Sequence, residues 1–301
     1  MWKGPKKLFG YFAIFSLLLG IAVVSLYWLP LIRESNTYNV INTQKHRKAV
    51  LNSVCLKNNL TRPLKELDKL AVKQLFVEEN HKFIYCEVPK AGCSNWKRII
   101  FMLKTNGKVQ ADYLEHNAIH DSSLLKRLSD YPLNQQHKIL EDYTKVIFTR
   151  EPLQRLVSAY RDKVVHPTGY YASYLPKAIK AKYRKNKNST DNVRFDEFVR
   201  YVIQNNPKTS DVHWRPVYHL CDPCNIDYDI VGKFETLKQD SDYVLKVIGA
   251  PAGIQYPEIK QFNESRTDTK TTKEYFQKLP LHLIQTFIQI YRLDFDLFDY
   301  V

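Results

Sequence analysis

Two basic segments, each between a strand-type run and a helix-type run, most constrain the fold of this 301-residue chain. The first, residues 88–96, follows a β-favouring run at residues 83–88, and the second, residues 149–158, follows a similar run at residues 145–149. Strand and helix patterns that alternate in this way predict an α/β fold with a central, mainly parallel sheet flanked by helices.

The rest of the chain continues this alternation, and no internal repeat interrupts it. We therefore expect one compact domain over residues 79–301. A third strand is predicted at residues 229–234, and helices are predicted after the second basic segment and at residues 95–104, 195–203, 240–248 and, mainly, 273–298.

The N-terminal part predicts a membrane anchor. Residues 8–32 carry no charged side chain, and these 25 positions exceed the roughly 20 apolar residues that span a bilayer. A cleaved signal peptide is the alternative, but its apolar stretch is usually only about 7–15 residues long. Lysines precede the span, which by the positive-inside rule keeps the N-terminus cytoplasmic. We expect a cytoplasmic tail at residues 1–7, a transmembrane signal-anchor helix at 8–32, a lumenal stem at 33–78 and the folded domain at 79–301.

The charge of the chain favours anionic partners without choosing among them. The formal net charge is +14, which suits a nucleotide, a nucleic acid, an acidic glycan or a membrane surface. Three glycosylation sequons, at Asn59, Asn188 and Asn263, agree with a lumenal or extracellular position for the body of the chain, although each pattern alone is weak.

The cysteines predict a structural disulfide. The chain has five, so at least one thiol is free or pairs between chains. Cys221 and Cys224 have the spacing of half a zinc site, but no second CxxC or HxxxH pattern accompanies them, so zinc is not expected. We expect a disulfide that is either local or joins this pair to Cys55 or Cys86.

The first basic segment has the features of a phosphate-binding turn. Gly92 lets the backbone approach a ligand closely, and Ser94 and Asn95 are residue types that cap a helix start. Helix-start N–H groups bind phosphate, and Lys90 would stabilise charge on a leaving phosphate. The segment is not a Walker A loop, because the chain contains no Gly-Lys-Ser/Thr sequence. An ordinary strand-to-helix turn is the alternative. The residues expected to contact the ligand are Pro89, Lys90, Ala91, Gly92, Cys93, Ser94 and Asn95.

The second basic segment repeats the arrangement. Arg150 suits bidentate contact with phosphate, and Ser158 can donate one hydrogen bond. A helix-entry ion pair with Glu151 is the alternative for Arg150, and Arg155 and Arg161 have the character of surface charges or salt-bridge partners. The segment expected to hold the ligand comprises Arg150, Glu151, Pro152, Leu153, Gln154, Arg155, Leu156, Val157 and Ser158.

Together the two segments predict a site for a nucleotide with phosphate at two positions, as in 3′-phosphoadenosine 5′-phosphosulfate (PAPS). The chain resembles the Golgi carbohydrate sulfotransferases: residues 89–97 are similar to their 5′-phosphosulfate loop and residues 150–163 to their 3′-phosphate segment. The resemblance covers most of residues 83–300 and is strongest to the N-acetylgalactosamine 4-O-sulfotransferases, within the HNK-1 and chondroitin 4-O group. Thr149, Leu153 and residues 105–113 depart from the family pattern. The resemblance implies a single sulfotransferase-like domain.

A sugar hydroxyl is a poor nucleophile and needs a positioned base. His116, His120, His166 and His213 have suitable chemistry. The resembling families place a catalytic-type histidine between the two phosphate segments, so the resemblance favours His120 as the base, with His116 second. Asp229 and Glu235 are reserve bases, expected instead to fix a Lys or Arg. The resemblance also implies a contact of Arg266 and Thr267 with the 3′-phosphate.

These observations predict a type II Golgi membrane enzyme that moves a sulfuryl group from PAPS to a hydroxyl, expected to be O-4, of N-acetylgalactosamine in a glycoprotein or a chondroitin or dermatan chain. No metal and no nucleic-acid partner are expected, and the oligomeric state, a homo-oligomer included, stays open. One alternative is a metal-dependent Golgi glycosyltransferase, since Asp227-Tyr-Asp229 and Asp294-Phe-Asp296 match the DxD pattern. The other is a non-catalytic lumenal glycan-binding protein.

Overall fold

The computed structural model describes residues 29–62, 68–120, 123–187, 189–259 and 266–300. The chain divides into two compact units, Met1–His46 and Arg47–Val301. Most of the predicted membrane span lies outside the described residues. Within the described part of the chain, no helix combines the length and apolarity needed to cross a membrane.

A four-stranded mixed sheet forms the centre of the larger unit, with its strands in the order β1-β2-β3-β4. They are β1 Leu75–Glu78, β2 Phe83–Cys86, β3 Thr144–Thr149 and β4 Ile230–Lys233. β2, β3 and β4 are parallel neighbours, which confirms the three predicted strands and their direction. β1 pairs antiparallel with β2 and lies within the segment predicted as a stem.

Helices account for most of the remaining described residues. A π-helical segment, Arg161–Val165, continues α6 without a break. The α-helices are α1 Leu29–Lys57, α2 Lys69–Val72, α3 Cys93–Lys104, α4 His116–Ile119, α5 Leu133–Asp142, α6 Pro152–Tyr160, α7 Tyr170–Ser173, α8 Leu175–Tyr183, α9 Phe195–Gln204, α10 Val217–Cys221, α11 Leu237–Val247, α12 Thr269–Phe276, α13 Leu281–Ile290 and α14 Arg292–Leu297.

Both faces of the sheet are covered by apolar side chains, as a parallel sheet requires. On one face, Tyr85 and Phe148 contact Trp96 of α3, with ring centroids 5.5 and 5.0 Å from the indole. On the other face, Ile84 and Ile147 belong to a second buried cluster. Burial of these large side chains anchors α3 to the sheet, so the start of α3 is held directly after β2.

Two disulfides join the N-terminal part of the larger unit to its C-terminal half. Cys55 of α1 pairs with Cys224, and Cys86 of β2 pairs with Cys221. Both long-range alternatives for the CxxC pair therefore occur and the local one does not. Cys93 is a buried free thiol.

The described residues between Arg47 and Glu78 belong to the larger unit, whereas the sequence predicts that the folded domain begins at residue 79. Arg47 of α1 is buried, and its guanidinium donates to the Val231 carbonyl and to Asp240, each at 2.8 Å. The polar composition of this segment gave no sign that it packs against the domain. Its contacts are a charged pair, a disulfide and one short strand rather than a long apolar face.

Candidate functional site

A cavity of about 500 Å³ lies where the three parallel strands end. Lys90 follows β2, Arg150 follows β3 and Phe234 follows β4, and all three line the cavity. Open α/β sheets bind ligands at this edge, and the volume is in the usual range for small-molecule sites, about 300–1,000 Å³.

The first corner, between β2 and α3, presents an open helix start to the cavity. Gly92 occupies the N-cap position with φ of 89°, and no side chain caps the first turn. Cys93, Ser94 and Asn95, the first residues of α3, line the cavity. Ser94 and Asn95 therefore lie inside the helix, although their residue types predicted N-caps. The N–H groups of this turn and the positive end of the helix dipole suit an anion.

Two residues of this corner have left-handed backbone conformations. Lys90 has φ of 73° and Gly92 has φ of 89°. A Cβ atom at Gly92 would lie 2.7 Å from the Tyr256 hydroxyl oxygen, closer than such contacts allow. The glycine is thus required by its own φ and by close packing against Tyr256, in addition to any approach of a ligand.

In the second corner, between β3 and α6, the side chain of the N-cap residue Glu151 caps the helix start. The Glu151 carboxylate accepts hydrogen bonds from the N–H groups of Leu153 and Gln154, at 3.0 and 2.7 Å. Pro152, at the first helical position, has no N–H to offer. The sequence predicted that both helix starts hold phosphate; at α6, the N–H groups of Leu153 and Gln154 have the Glu151 carboxylate as their acceptor.

Arg150 is the central cation of the second corner. Its guanidinium donates to the Lys90 carbonyl at 3.0 Å and to the Thr267 carbonyl, and it lies 4.0 Å over the Phe234 ring. Burial lowers the pKa of Arg150 to about 10, so it remains a cation. Its Nε atom is buried and has no hydrogen-bond partner among the described residues. An anion in the cavity would satisfy this donor.

Arg155 differs from the sequence-based expectation. It is buried rather than on the surface, and its guanidinium donates to the carbonyls of Pro89, Arg215 and Val212, at 3.0, 2.7 and 3.0 Å. It ties the first corner to the loop before α10. Of the residues predicted to hold the ligand, Ala91, Glu151, Pro152, Leu153, Gln154, Arg155, Leu156 and Val157 are not among those that line the cavity.

The remaining predicted cofactor residues do line it, together with Arg161, Arg266 and Thr267. Arg161 donates to the Thr267 hydroxyl at 3.0 Å. Ser158 is half-buried on the cavity side of α6. The segment that carries Arg266 and Thr267 therefore lies beside the second corner.

The π-helical segment places opposite charges beside Lys90. Asp162 accepts a hydrogen bond from Lys90 at 2.8 Å and is 3.3 Å from the Lys163 ammonium. Burial lowers the pKa of Lys90 and outweighs the opposing effect of Asp162. π-helical turns are frequent at functional sites. The sequence analysis assigned no role to Asp162, because basic rather than acidic side chains are expected at a phosphate site.

Four histidines line the cavity: His116, His120, His166 and His213. His120 Nε2 lies 3.0 Å from the Ser94 hydroxyl and its Nδ1 lies 2.9 Å from the Lys97 ammonium. His116 packs against it, with ring centroids 4.6 Å apart. Partial desolvation, followed by nearby positive charge, lowers the pKa of His120 to about 3, so its ring is neutral.

Sequence reasoning missed the side chains behind these histidines. Lys97 and Glu87 form a buried ion pair under His120, and Asp211 contacts His213. The Asp-x-His spacing of residues 211–213 was the one signal that could have identified a paired carboxylate. Asp229 pairs with Lys145 as expected, whereas Glu235 accepts from the Glu151 N–H and the Tyr300 hydroxyl.

Neither DxD sequence contributes to the cavity lining. Asp294 is buried and accepts hydrogen bonds from the N–H groups of Val217 and Tyr218, so it caps α10. Within the described residues, no group of three or more His, Cys, Asp or Glu side chains is arranged to hold a metal ion. Asn59 is exposed, whereas Asn188 and the whole sequon at Asn263 lie outside the described residues.

The family model described as "Sulfotransferase family" matches residues 73–301. A Mus musculus protein named carbohydrate sulfotransferase 8 is 39% identical over 279 residues, covering 90% of this chain and 67% of that protein. Homo sapiens carbohydrate sulfotransferase 9 is also 39% identical, and the match covers 90% of this chain and 62% of that protein. Rattus norvegicus carbohydrate sulfotransferase 11 is 36% identical, with 87% of this chain and 80% of that protein covered. No solved structure matches the chain. Since the matched span contains both corners and the whole cavity lining, the chain belongs to the sulfotransferase family.

Proposed function

We propose that this protein is a carbohydrate sulfotransferase that moves a sulfuryl group from PAPS to a hydroxyl, at O-4, of N-acetylgalactosamine in a glycan. The single observation that carries the proposal is the meeting of the two strand-to-helix corners at one cavity. Lys90 and the open start of α3 lie on one side, and Arg150 and Ser158 lie on the other. A donor with phosphate at two positions needs two such anion sites within one cavity.

The charge of the cavity supports an anionic donor. Among the described residues that line it, the only carboxylate is Asp162, and it is already paired with Lys90. A low-dielectric site with this excess of cations attracts polyanions and stabilises charge that develops on a leaving group. The six cationic lining residues are Lys90, Arg98, Arg150, Arg161, Lys163 and Arg266.

The two corners fit the donor through different groups. The uncapped N–H groups of α3, with Lys90 beside them, suit the phosphosulfate end, where charge grows on the departing phosphate. The unpartnered Arg150 Nε and the Ser158 hydroxyl suit the 3′-phosphate. PAPS supplies the sulfuryl group, and the residues of the chain bind, orient and neutralise charge around it.

The acceptor side of the cavity supports a sugar ligand. Thr168, Tyr170 and Tyr171 line the cavity beyond the π-helical segment, and Tyr170 is 61% exposed. Aromatic faces pack on the apolar faces of sugar rings, and the hydroxyls beside them supply hydrogen bonds. The choice of N-acetylgalactosamine and of O-4 follows from the family resemblance of the motifs.

The two rival functions lose support from the site. Some metal-dependent glycosyltransferases hold their metal with a DxD sequence, whereas here Asp294 caps a helix and Asp229 pairs with Lys145. A non-catalytic glycan-binding protein has no need for a lysine held in a left-handed turn beside an open helix start.

Sulfuryl transfer is tested directly with labelled PAPS and a panel of defined acceptors: unsulfated chondroitin, dermatan and glycans ending in N-acetylgalactosamine. The expected result is label on the galactosamine, with O-4 identified by NMR of the product. Transfer that requires a nucleotide sugar and a divalent cation, or the absence of any transfer together with intact glycan binding, would support one of the rivals.

We also propose that the chain is a single-pass type II protein of the Golgi membrane with its catalytic unit in the lumen. The uncharged run at residues 8–32 and the exposed sequon at Asn59 support this orientation. Two measurements test this orientation. A glycosidase that removes N-glycans should act on the membrane-bound chain, and the lumenal unit should be protected from added protease.

A further inference from the structure

His213 is held by a carboxylate in a way that sets its tautomer. Its Nδ1 atom lies 2.8 Å from an Asp211 carboxylate oxygen. An ionised carboxylate can only accept a hydrogen bond, so Nδ1 must carry the proton. The other ring nitrogen, Nε2, is then a bare acceptor. We propose that His213, oriented by Asp211, is the base that takes the proton from the acceptor hydroxyl, and that His120 acts as a hydrogen-bond donor. This inference rests on the proposed sulfuryl transfer.

Asp211 is itself fixed in place. The Tyr171 hydroxyl donates to its second oxygen at 2.8 Å, and the backbone N–H of His213 donates to its first at 2.9 Å. Desolvation raises the pKa of Asp211, but the hydrogen bonds from His213 and Tyr171 outweigh it and hold the pKa below its ordinary value. The carboxylate therefore stays ionised and holds the His213 ring in one orientation, the arrangement by which a third group positions a catalytic base.

The Nε2 atom of His213 is available to a substrate. The side chain is 19% exposed and lines the cavity. Among the described residues, no group forms a hydrogen bond to this nitrogen. Desolvation and the nearby charges of Lys163 and Lys90 lower the pKa of His213, and Asp211 opposes them without reversing the direction. The ring is therefore neutral near pH 7 and can accept a proton.

His120 has the opposite tautomer. Lys97 forms a buried ion pair with Glu87, so Lys97 is an ammonium and can only donate. It donates to Nδ1 of His120 at 2.9 Å, which leaves the ring proton on Nε2, facing the Ser94 hydroxyl at 3.0 Å. Both ring nitrogens of His120 then take part in hydrogen bonds. The nitrogen that lies near Ser94, Nε2, carries a proton and has no free lone pair.

His116 lacks the support that His213 has. No carboxylate among the described residues forms a hydrogen bond to its ring, and its contact is the neighbouring His120 ring at 4.6 Å. Desolvation lowers the pKa of His116 to about 4 and also lowers the pKa of His213, so the two residues differ in the carboxylate that positions the ring. A base works best when its pKa lies near the working pH and its ring is positioned.

The acceptor oxygen forms a bond to sulfur while its proton moves to Nε2 of His213. The bond from sulfur to the bridging oxygen breaks, and its electron pair stays on the departing 5′-phosphate, beside Lys90. The charges that act on His213 are those of Asp211, Lys163, Lys90 and Asp162. Release of the proton from His213 to solvent completes the cycle.

The activity test uses the purified full chain, labelled PAPS, and the acceptor that the wild-type chain sulfates in the panel above. His213→Ala is expected to lower kcat by about 10²–10⁴-fold, with unchanged affinity for adenosine 3′,5′-bisphosphate. Added imidazole is expected to restore part of the rate in His213→Ala and none in His120→Ala. His282→Ala is the control, because His282 is exposed and outside the cavity.

A second measurement determines the tautomers of the two histidines and does not depend on enzyme activity. With ¹⁵N-labelled histidine, the ring nitrogen shifts should identify the Nδ1–H form for His213 and the Nε2–H form for His120. Asp211→Ala should mix the tautomers of His213 alone. Reversed tautomers, or imidazole rescue of His120→Ala instead of His213→Ala, would overturn the assignment. A wild-type chain that transfers no sulfuryl group would overturn the proposed function and the base together, whereas an active wild type with full activity in His213→Ala would overturn the base alone.

Discussion

The two strand-to-helix corners share a plan and differ in what they offer an anion. After β2, α3 begins without a side-chain cap, and its first N–H groups face the cavity. After β3, α6 begins under the Glu151 carboxylate, which occupies the equivalent N–H groups. Similar sequence patterns therefore produce one corner that offers backbone N–H groups to an anion and another that offers side chains.

Under the proposed function, this difference suits the two ends of the donor. Charge at the phosphosulfate end changes during the reaction, and preorganised backbone dipoles with a lysine suit that change. Charge at the 3′-phosphate stays constant, so a fixed guanidinium and a hydroxyl are sufficient. The contrast leads to predictions in which Lys90 affects turnover, the backbone shape at Gly92 affects stability and binding, and the Glu151 cap of the second corner affects stability.

The largest effect is expected from Lys90→Ala, which removes the side-chain cation of the first corner. Turnover should fall by about 10²–10³-fold, the cost of losing one donor to a developing negative charge. Asp162 keeps Lys163 as a partner at 3.3 Å, so the fold should survive. Steady-state rates with PAPS, together with calorimetry of bisphosphate binding, measure this. The control is Lys108→Ala, an exposed lysine outside the cavity. Equal turnover in both variants would remove Lys90 from the chemistry.

Gly92→Ala should rank second and test whether the shape of the first corner matters. Left-handed φ costs a non-glycine residue about 1–2 kcal/mol, and the added Cβ would press on the Tyr256 hydroxyl at 2.7 Å. We expect lower unfolding free energy in urea and weaker bisphosphate binding. Gly253→Ala is the matched control, since a Cβ there meets nothing within 4 Å. If the two alanine variants are equally stable, the close packing inferred at Gly92 is wrong.

Glu151→Ala probes the closed second corner. Loss of the cap should lower the unfolding free energy by about 1 kcal/mol, because two N–H groups lose their acceptor. Added inorganic sulfate should recover part of the loss, since an uncapped helix start binds anions. Denaturant titrations with and without sulfate measure both effects, with the exposed Glu141→Ala as control. No change in stability would mean that the two corners do not differ as described.

The last prediction concerns acid. The pKa values of His116 and His120 in the folded chain, about 4 and about 3, lie below the ordinary value near 6.5. The unfolded chain therefore binds protons first as the pH falls, and the stability contributed by these neutral rings is present above pH 6.5 and lost below it. Thermal unfolding should show declining stability between pH 6.5 and 4. His120→Asn should flatten that decline, and an unchanged slope would contradict the lowered pKa.

Much of the fold follows from short-range patterns. Apolar runs identified β2, β3 and β4, and helical spacing identified α3, where Trp96, Ile99 and Ile100 are all buried. β1 was not predicted, because it is only four residues long and follows a polar segment, so its periodic signal is weak. Its burial also depends on pairing with β2.

The site was predictable where a residue acts through its own type and position. Lys90, Gly92 and Arg150 line the cavity as their motifs indicated. Arg155 was not predictable, because its three acceptors are backbone carbonyls at Pro89, Val212 and Arg215, distant in the sequence. The roles of His120 and His213 likewise depend on Lys97 and Asp211, partners that only the folded chain brings into contact.

The most direct test of the central claim, that two corners bind opposite ends of one doubly phosphorylated adenosine donor, is calorimetry on the full chain with three nucleotides. Adenosine 3′,5′-bisphosphate should bind, and the 3′- and 5′-monophosphates should each bind about tenfold or more weaker, since each loses charge-assisted hydrogen bonds at one corner. Equal affinity for all three nucleotides, or no binding of the bisphosphate, would contradict the account.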